Sequence, residues 1–135
     1  MLNARAANEI PPLVGIIDPD PAARDALRSL LSSVGVDVAT FDCAETYLRA
    51  ANGRPYACLI VDLLLPGMSG LELLRRLRSA GNHVPMILLT EESDVPTAVA
   101  AMREGAADFI EKPYVDLAVL KRVQSLLQSP PPLCA

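Results

Sequence analysis

The run Leu59-Ile60-Val61-Asp62-Leu63-Leu64-Leu65-Pro66-Gly67-Met68-Ser69-Gly70 restricts the fold more than any other stretch of the chain. Between residues 58 and 65 it is apolar apart from one carboxylate, and it is far shorter than the roughly 20 residues a membrane helix needs. An apolar run without alternation suits a strand of a parallel sheet, which is covered on both faces. Pro66, Gly67 and Gly70 end it, and Ser69 is placed to cap a helix that starts near Gly70. Asp62 therefore falls at the carboxyl end of a buried strand, ahead of a tight loop. Ligands of open α/β sheets bind outside that end. A charge held there needs compensation, so Asp62 is either a loop cap or part of a site.

Strand and helix signals alternate along the rest of the chain. Residues 13–17 form a short apolar strand ending at Asp18. Asp20 is a candidate N-cap with Pro21 at the first helical position. Leu27, Leu30, Leu31 and Val34 follow at helical spacing, and Gly35 stops the helix. Residues 36–41 read as a second strand, and 44–51 as a short helix with Leu48 inward and Gly53 as terminator. The central strand spans 56–62; Leu71, Leu74 and Leu77 mark the next helix, stopped near Gly81. Residues 85–90 are a fourth strand, 95–104 an Ala-rich helix ended by Gly105, and 109–110 a short fifth strand. Leu117, Leu120, Val123, Leu126 and Leu127 mark a last helix before Ser129-Pro130-Pro131-Pro132. Five βα units with short connections imply an α/β fold: a doubly wound parallel sheet with helices on both faces.

At 135 residues and 51% hydrophobic, the chain is expected to form one domain. The expected division is a lead-in at 1–12, the folded unit at 13–128 and a tail or linker at 129–135. The net charge of −4 argues against direct binding to nucleic acid. Arg75, Arg76 and Arg78 read as a solvated helix face. Cys43, Cys58 and Cys134 have no metal-binding spacing, and Cys58 lies within the apolar strand as a core thiol. Residues 1–12 lack the basic start and apolar core of a signal peptide, so no membrane association and a cytoplasmic location are expected.

The polar residues at the strand ends then become informative. Asp18 follows the first strand, with Asp20 close behind; Asp62 ends the third, Thr90 the fourth, and the fifth runs into Lys112. All fall at one edge of a parallel sheet. The chemistry this suggests is phosphoryl transfer to a carboxylate. Asp62 is the nucleophile, and Asp18, Asp62 and a carbonyl of the following loop are oxygen ligands for Mg²⁺. Lys112 supplies a fixed positive charge, and the Thr90 hydroxyl a donor to a phosphoryl oxygen.

Asp62 with Pro66, Gly67 and Gly70, then Thr90, then Lys112-Pro113, resembles in order and spacing the receiver domain of two-component response regulators. The resemblance covers residues 13 to about 128. The run from Asp94-Val95-Pro96 through Ala106-Ala107-Asp108-Phe109-Ile110-Glu111-Lys112-Pro113 is similar to the FixJ-like receivers. That resemblance implies a flavodoxin-like (βα)5 sheet in strand order 2-1-3-4-5. It implies that Asp62 takes a phosphoryl group from a sensor histidine kinase, with the Leu64 backbone carbonyl as an Mg²⁺ ligand. It also makes Thr90 and Phe109 switch residues and the Lys112-Pro113 bond cis. The responding surface is the fourth helix, fifth strand and fifth helix, often through homodimerisation. The protein is then a signalling phosphoacceptor, with at most self-phosphorylation and autodephosphorylation activity.

Two residues depart from the family pattern. Pro19 stands where a second acid usually follows Asp18, so weaker Mg²⁺ binding is expected; Asp20, one residue late, is a further candidate ligand. Glu91 stands where a small residue usually follows the switch Thr. These departures keep open a degenerate receiver that acts as an interaction module independent of phosphorylation. Ile16-Ile17-Asp18-Pro19-Asp20 also resembles the first motif of haloacid-dehalogenase-type phosphohydrolases. Those enzymes need a further acidic motif after the Lys, where this chain has only Asp116, and they leave Asp62 and its loop unexplained.

Overall fold

Parallel pairing follows from the helix that stands between each pair of successive strands, and the computed structural model, which describes residues 10–50, 54–91 and 95–128, shows how it is achieved. Among the described residues, strands β1 (Leu13–Ile17), β2 (Asp37–Phe41), β3 (Cys58–Asp62), β4 (Met86–Thr90) and β5 (Asp108–Glu111) alternate with helices. These are α1 (Pro21–Ser32), α2 (Ala44–Ala50), α3 (Gly70–Ser79), α4 (Val95–Arg103) and α5 (Asp116–Gln128). The strands pair in parallel in the order β2-β1-β3-β4-β5, as expected.

Alternate residues of each strand serve opposite faces of a sheet. Ile17, Leu59, Val61, Met86 and Leu88 pack with Tyr47 of α2, Leu73, Leu74 and Leu77 of α3, and Ala101 of α4. Val14, Ile16, Cys58, Ile60, Ile87 and Leu89 pack with Leu27 and Leu31 of α1 and Val119 and Val123 of α5. The inner strands are apolar on both faces because both faces are covered.

Local chemistry sets the helix ends. The Asp20 carboxylate accepts the Ala22 N–H at 3.0 Å, with Pro21 next in line. Ser69 and Glu72 form a reciprocal capping box at the start of α3. Gly70 is required by contact: a Cβ there would lie 2.6 Å from the Asp62 carbonyl oxygen. α3 therefore starts in direct contact with the end of β3.

Several sequence expectations need adjusting. Val36, Tyr56 and Pro85 precede their strands, and α4 ends at Arg103. Tyr47 is fully packed, with Leu48 partly buried beside it, because Tyr47 makes edge-to-face contacts with Phe41 and Tyr56. Leu73 faces the core, with Leu71 at its margin. Leu117 is 53% exposed, and Val119 takes the inward position on α5. Gly53, Asp94, Cys134 and the proposed segments at 1–9 and 129–135 lie outside the described residues.

Candidate functional site

The carboxyl ends of β1 and β3 are neighbours at one edge of the sheet, β5 ends at the same edge beyond β4, and three charged side chains meet there. The Lys112 ammonium stands 3.0 Å from Asp18 Oδ2 and 3.0 Å from Asp62 Oδ2. All three side chains are shielded, with 2% (Asp18), 13% (Asp62) and 16% (Lys112) exposure. Two carboxylates and one ammonium leave the cluster one formal negative charge.

Backbone geometry aims each group. The Asp18 N–H donates to the Phe41 carbonyl at 3.0 Å, extending the β1–β2 ladder by one residue. The Asp20 N–H donates to Asp18 Oδ1 at 2.9 Å, which turns Oδ2 toward Lys112. Asp62 repeats the arrangement: its Oδ1 accepts the Leu64 N–H at 3.1 Å and its Oδ2 accepts from Lys112. The Lys112 N–H donates to the Thr90 carbonyl at 2.6 Å, and the Lys112-Pro113 peptide is cis. Burial is the largest single influence on Lys112 and pulls its pKa down. The hydrogen bonds and charges of Asp18 and Asp62 together outweigh it and hold the pKa above the ordinary lysine value. The ammonium stays charged and lies within ion-pair distance of both carboxyl groups.

The other expected site residues fall as follows. Thr90 ends β4, is fully buried and is paired in register with Glu111. Phe109 lies beside Leu88 in register and packs partly buried against the core under α2, α3 and α4. The Asp20 carboxylate faces its own helix as the cap. The Leu64 side chain is exposed, and its backbone N–H is the one that steadies Asp62. Glu91 is exposed immediately after Thr90. Among the described residues no three His, Cys, Asp or Glu side chains gather as a metal set. Asp18 and Asp62 are nonetheless hard oxygen donors of the kind Mg²⁺ takes, which commonly uses one or two carboxylates and fills the rest with water.

Two contacts were not legible from spacing. Arg24 Nη1 donates to the Asp18 carbonyl at 2.7 Å, and Glu45 Oε2 accepts the Met68 N–H at 3.0 Å. The helical spacing from Asp20 to Arg24 puts that guanidinium one turn from the cap. No sequence signal ties Glu45 to residue 68.

Residues 14–124 match the family model of the response regulator receiver domain. The chain belongs to that family. This receiver domain is 43% identical over 114 residues to the transcriptional regulatory protein FixJ of Azorhizobium caulinodans, covering 84% of the chain and 54% of that protein. It is 39% identical over 117 residues to FixJ of Bradyrhizobium diazoefficiens, covering 87% and 57%. The chain thus spans about half the length of the curated relatives it matches. The solved structure of the response regulator StyR superposes with a TM-score of 0.81 at 39% identity, over 88% of this chain and 60% of that one. Receiver domains are signalling domains rather than classical enzymes, and their place in a response regulator implies a histidine kinase as partner. No helix among the described residues is long and apolar enough to cross a membrane.

Proposed function

We propose that Asp62 is the phosphoacceptor of this receiver domain. The observation that carries the reading is the Lys112 ammonium bonded at 3.0 Å to both Asp18 and Asp62 at the carboxyl edge of the sheet. In the transfer, an Asp62 carboxylate oxygen forms a bond to the phosphorus of a kinase phosphohistidine. The N–P bond breaks, and the imidazole leaves with that electron pair. Lys112 remains as the cation that offsets charge on the acyl phosphate, and the Thr90 hydroxyl is the donor toward a phosphoryl oxygen. Receiver domains generally bind Mg²⁺ at the phosphorylation site. Here Asp18, Asp62 and the Leu64 carbonyl would hold it, with Asp20 as the further candidate. Bound there, Mg²⁺ would offset the repulsion between an anionic acceptor and an anionic donor.

The response follows from added charge. Aspartyl phosphate brings about two negative charges and three acceptor oxygens next to Thr90 and Lys112. Thr90 and Phe109 then shift together and remodel the α4-β5-α5 surface, where Val95, Val99 and Met102 of α4, Val115 just before α5 and Leu117 in its first turn are already exposed. Self-association through that surface is the proposed output, with the kinase as upstream partner and the cytoplasm as the place of reaction. The net charge of −4 favours a protein partner over direct contact with nucleic acid.

Intact-mass spectrometry after incubation with acetyl phosphate and Mg²⁺ tests the reading. One acid-labile phosphoryl group per chain, lost in Asp62→Asn, is expected. A phosphate retained in that variant moves the site elsewhere. A wild-type chain that takes none, with Pro19 beside Asp18, favours the interaction module. Continuous hydrolysis of the donor without a retained phosphate favours a hydrolase.

A further inference from the structure

The loop between β3 and α3 is fixed at its two ends. At one end the Leu63 N–H donates to the Leu89 carbonyl at 2.7 Å, and the Gly70 N–H to the Leu63 carbonyl at 2.9 Å. At the other end stands the Ser69–Glu72 capping box. The middle, Pro66-Gly67-Met68, is reached from another element by Glu45. This carboxylate, in the first turn of α2, accepts the Met68 N–H at 3.0 Å. It also fills the space beside Gly67: a Cβ there would lie 2.7 Å from Glu45 Oε2, and Gly67 has φ +74°. Gly67 is thus required by its backbone, and a side chain there would have to displace the Glu45 carboxylate.

We infer that Glu45 is a positioning residue for phosphoryl acceptance, acting through the loop that carries Leu64 and steadies Asp62. The inference rests on the phosphoacceptor reading above. α2 is a firm base for such a tether, since Ala44 and Tyr47 on either side of Glu45 are buried in the core. The carboxylate is suited to hold a backbone N–H as an anion. The Met68 hydrogen bond is the largest influence keeping its pKa below the usual glutamate value, and Arg49 contributes in the same direction. The loop matters because the Leu64 N–H orients Asp62 Oδ1 at 3.1 Å. Small displacements of a reacting group are costly in rate.

Two variants separate the tether from the charge. Glu45→Ala removes the acceptor. Glu45→Gln keeps a neutral oxygen that can take the same N–H. Two readouts are taken on the whole chain: amide exchange at Met68 without phosphodonor, and the rate of phosphoryl uptake from acetyl phosphate with Mg²⁺. Thermal unfolding checks that both variants remain folded. In Glu45→Ala, exchange at Met68 should quicken at least about fivefold, and uptake should slow by up to about tenfold. Glu45→Gln should restore most of both. Unchanged exchange in Glu45→Ala overturns the tether. Faster exchange with unchanged uptake overturns the positioning role. Slow uptake in Glu45→Gln with Met68 still protected also overturns it, because charge alone would then matter. A wild-type chain that takes up no phosphoryl group overturns the underlying reading, and is recognised by failing before any variant is compared.

Discussion

α3 and α4 cover the same face of the sheet and differ by one residue in length, yet they are held in opposite ways. α3 buries Gly70, Leu73, Leu74 and Leu77 and opens on a capping box. α4 buries only Ala101 among its residues and leaves Val95 70% and Met102 48% exposed. What steadies α4 is a set of polar contacts at its far end. Arg75 Nε meets the Glu104 carboxylate at 2.7 Å, and Arg78 Nη2 donates to the Gly105 carbonyl at 2.9 Å. The helix that continues from the loop after Asp62 is thus locked into the core, while the helix after β4 rests on small side chains. Weakly packed elements are the ones that open at low free energy. The switch proposed for this face would have α3 as its fixed side and α4 as its moving side.

The largest expected contrast is in stability. Leu74→Ala removes a fully buried side chain between β3, β4 and α3, and should cost about 2–5 kcal/mol in chemical denaturation. Val99→Ala, on the half-exposed face of α4, should cost under about 1 kcal/mol. Equal losses would end the distinction between a locked and a loose helix.

Much of this architecture was legible in advance because it rests on short-range rules. Apolar runs closed by Pro and Gly mark the strands, and the strand-end positions of Asp62, Thr90 and Lys112 put all three at one edge of the sheet. Strand order puts Asp18 beside Asp62, and the long Lys112 side chain reaches both from beyond β4. Helix faces were read less well. Leu117 is in helical phase with its neighbours but is 53% exposed, and Val119 is buried instead. Contacts such as Glu45 to Met68, or Arg75 to Glu104, join residues 23 and 29 positions apart and leave no periodic trace. They depend on how separate elements stand relative to one another, which the local pattern does not carry.

Cutting the polar stitch is a smaller perturbation. Arg75→Ala should change overall stability by no more than about 1 kcal/mol, because both partners are substantially exposed. It should still quicken amide exchange across Val95–Arg103 relative to Gly70–Ser79. Equal acceleration in both helices would mean that the ion pair serves α3 instead.

The smallest effect concerns pH. Lys112 has its pKa raised in the fold, so its stabilising contribution is full below the unfolded lysine value of about 10.4 and fades as pH rises through the raised one. Tyr47, Tyr56 and Tyr114 are raised by burial and likewise lose stability above about pH 10. The difference between wild type and Lys112→Met therefore isolates the lysine. The urea midpoint of wild type should fall more steeply above about pH 10.5 than that of the variant. Parallel curves would show that the ammonium gains nothing from its two carboxylates.

Amide hydrogen exchange with and without beryllofluoride and Mg²⁺ puts the central claim, a carboxylate site that drives one helix against another, to its most direct test. Added mimic should change protection along Val95–Arg103 and Asp108–Glu111, leave Gly70–Ser79 as it was, and have no effect in Asp62→Asn. A response spread equally over α3 and α4, or one that survives in Asp62→Asn, would contradict it.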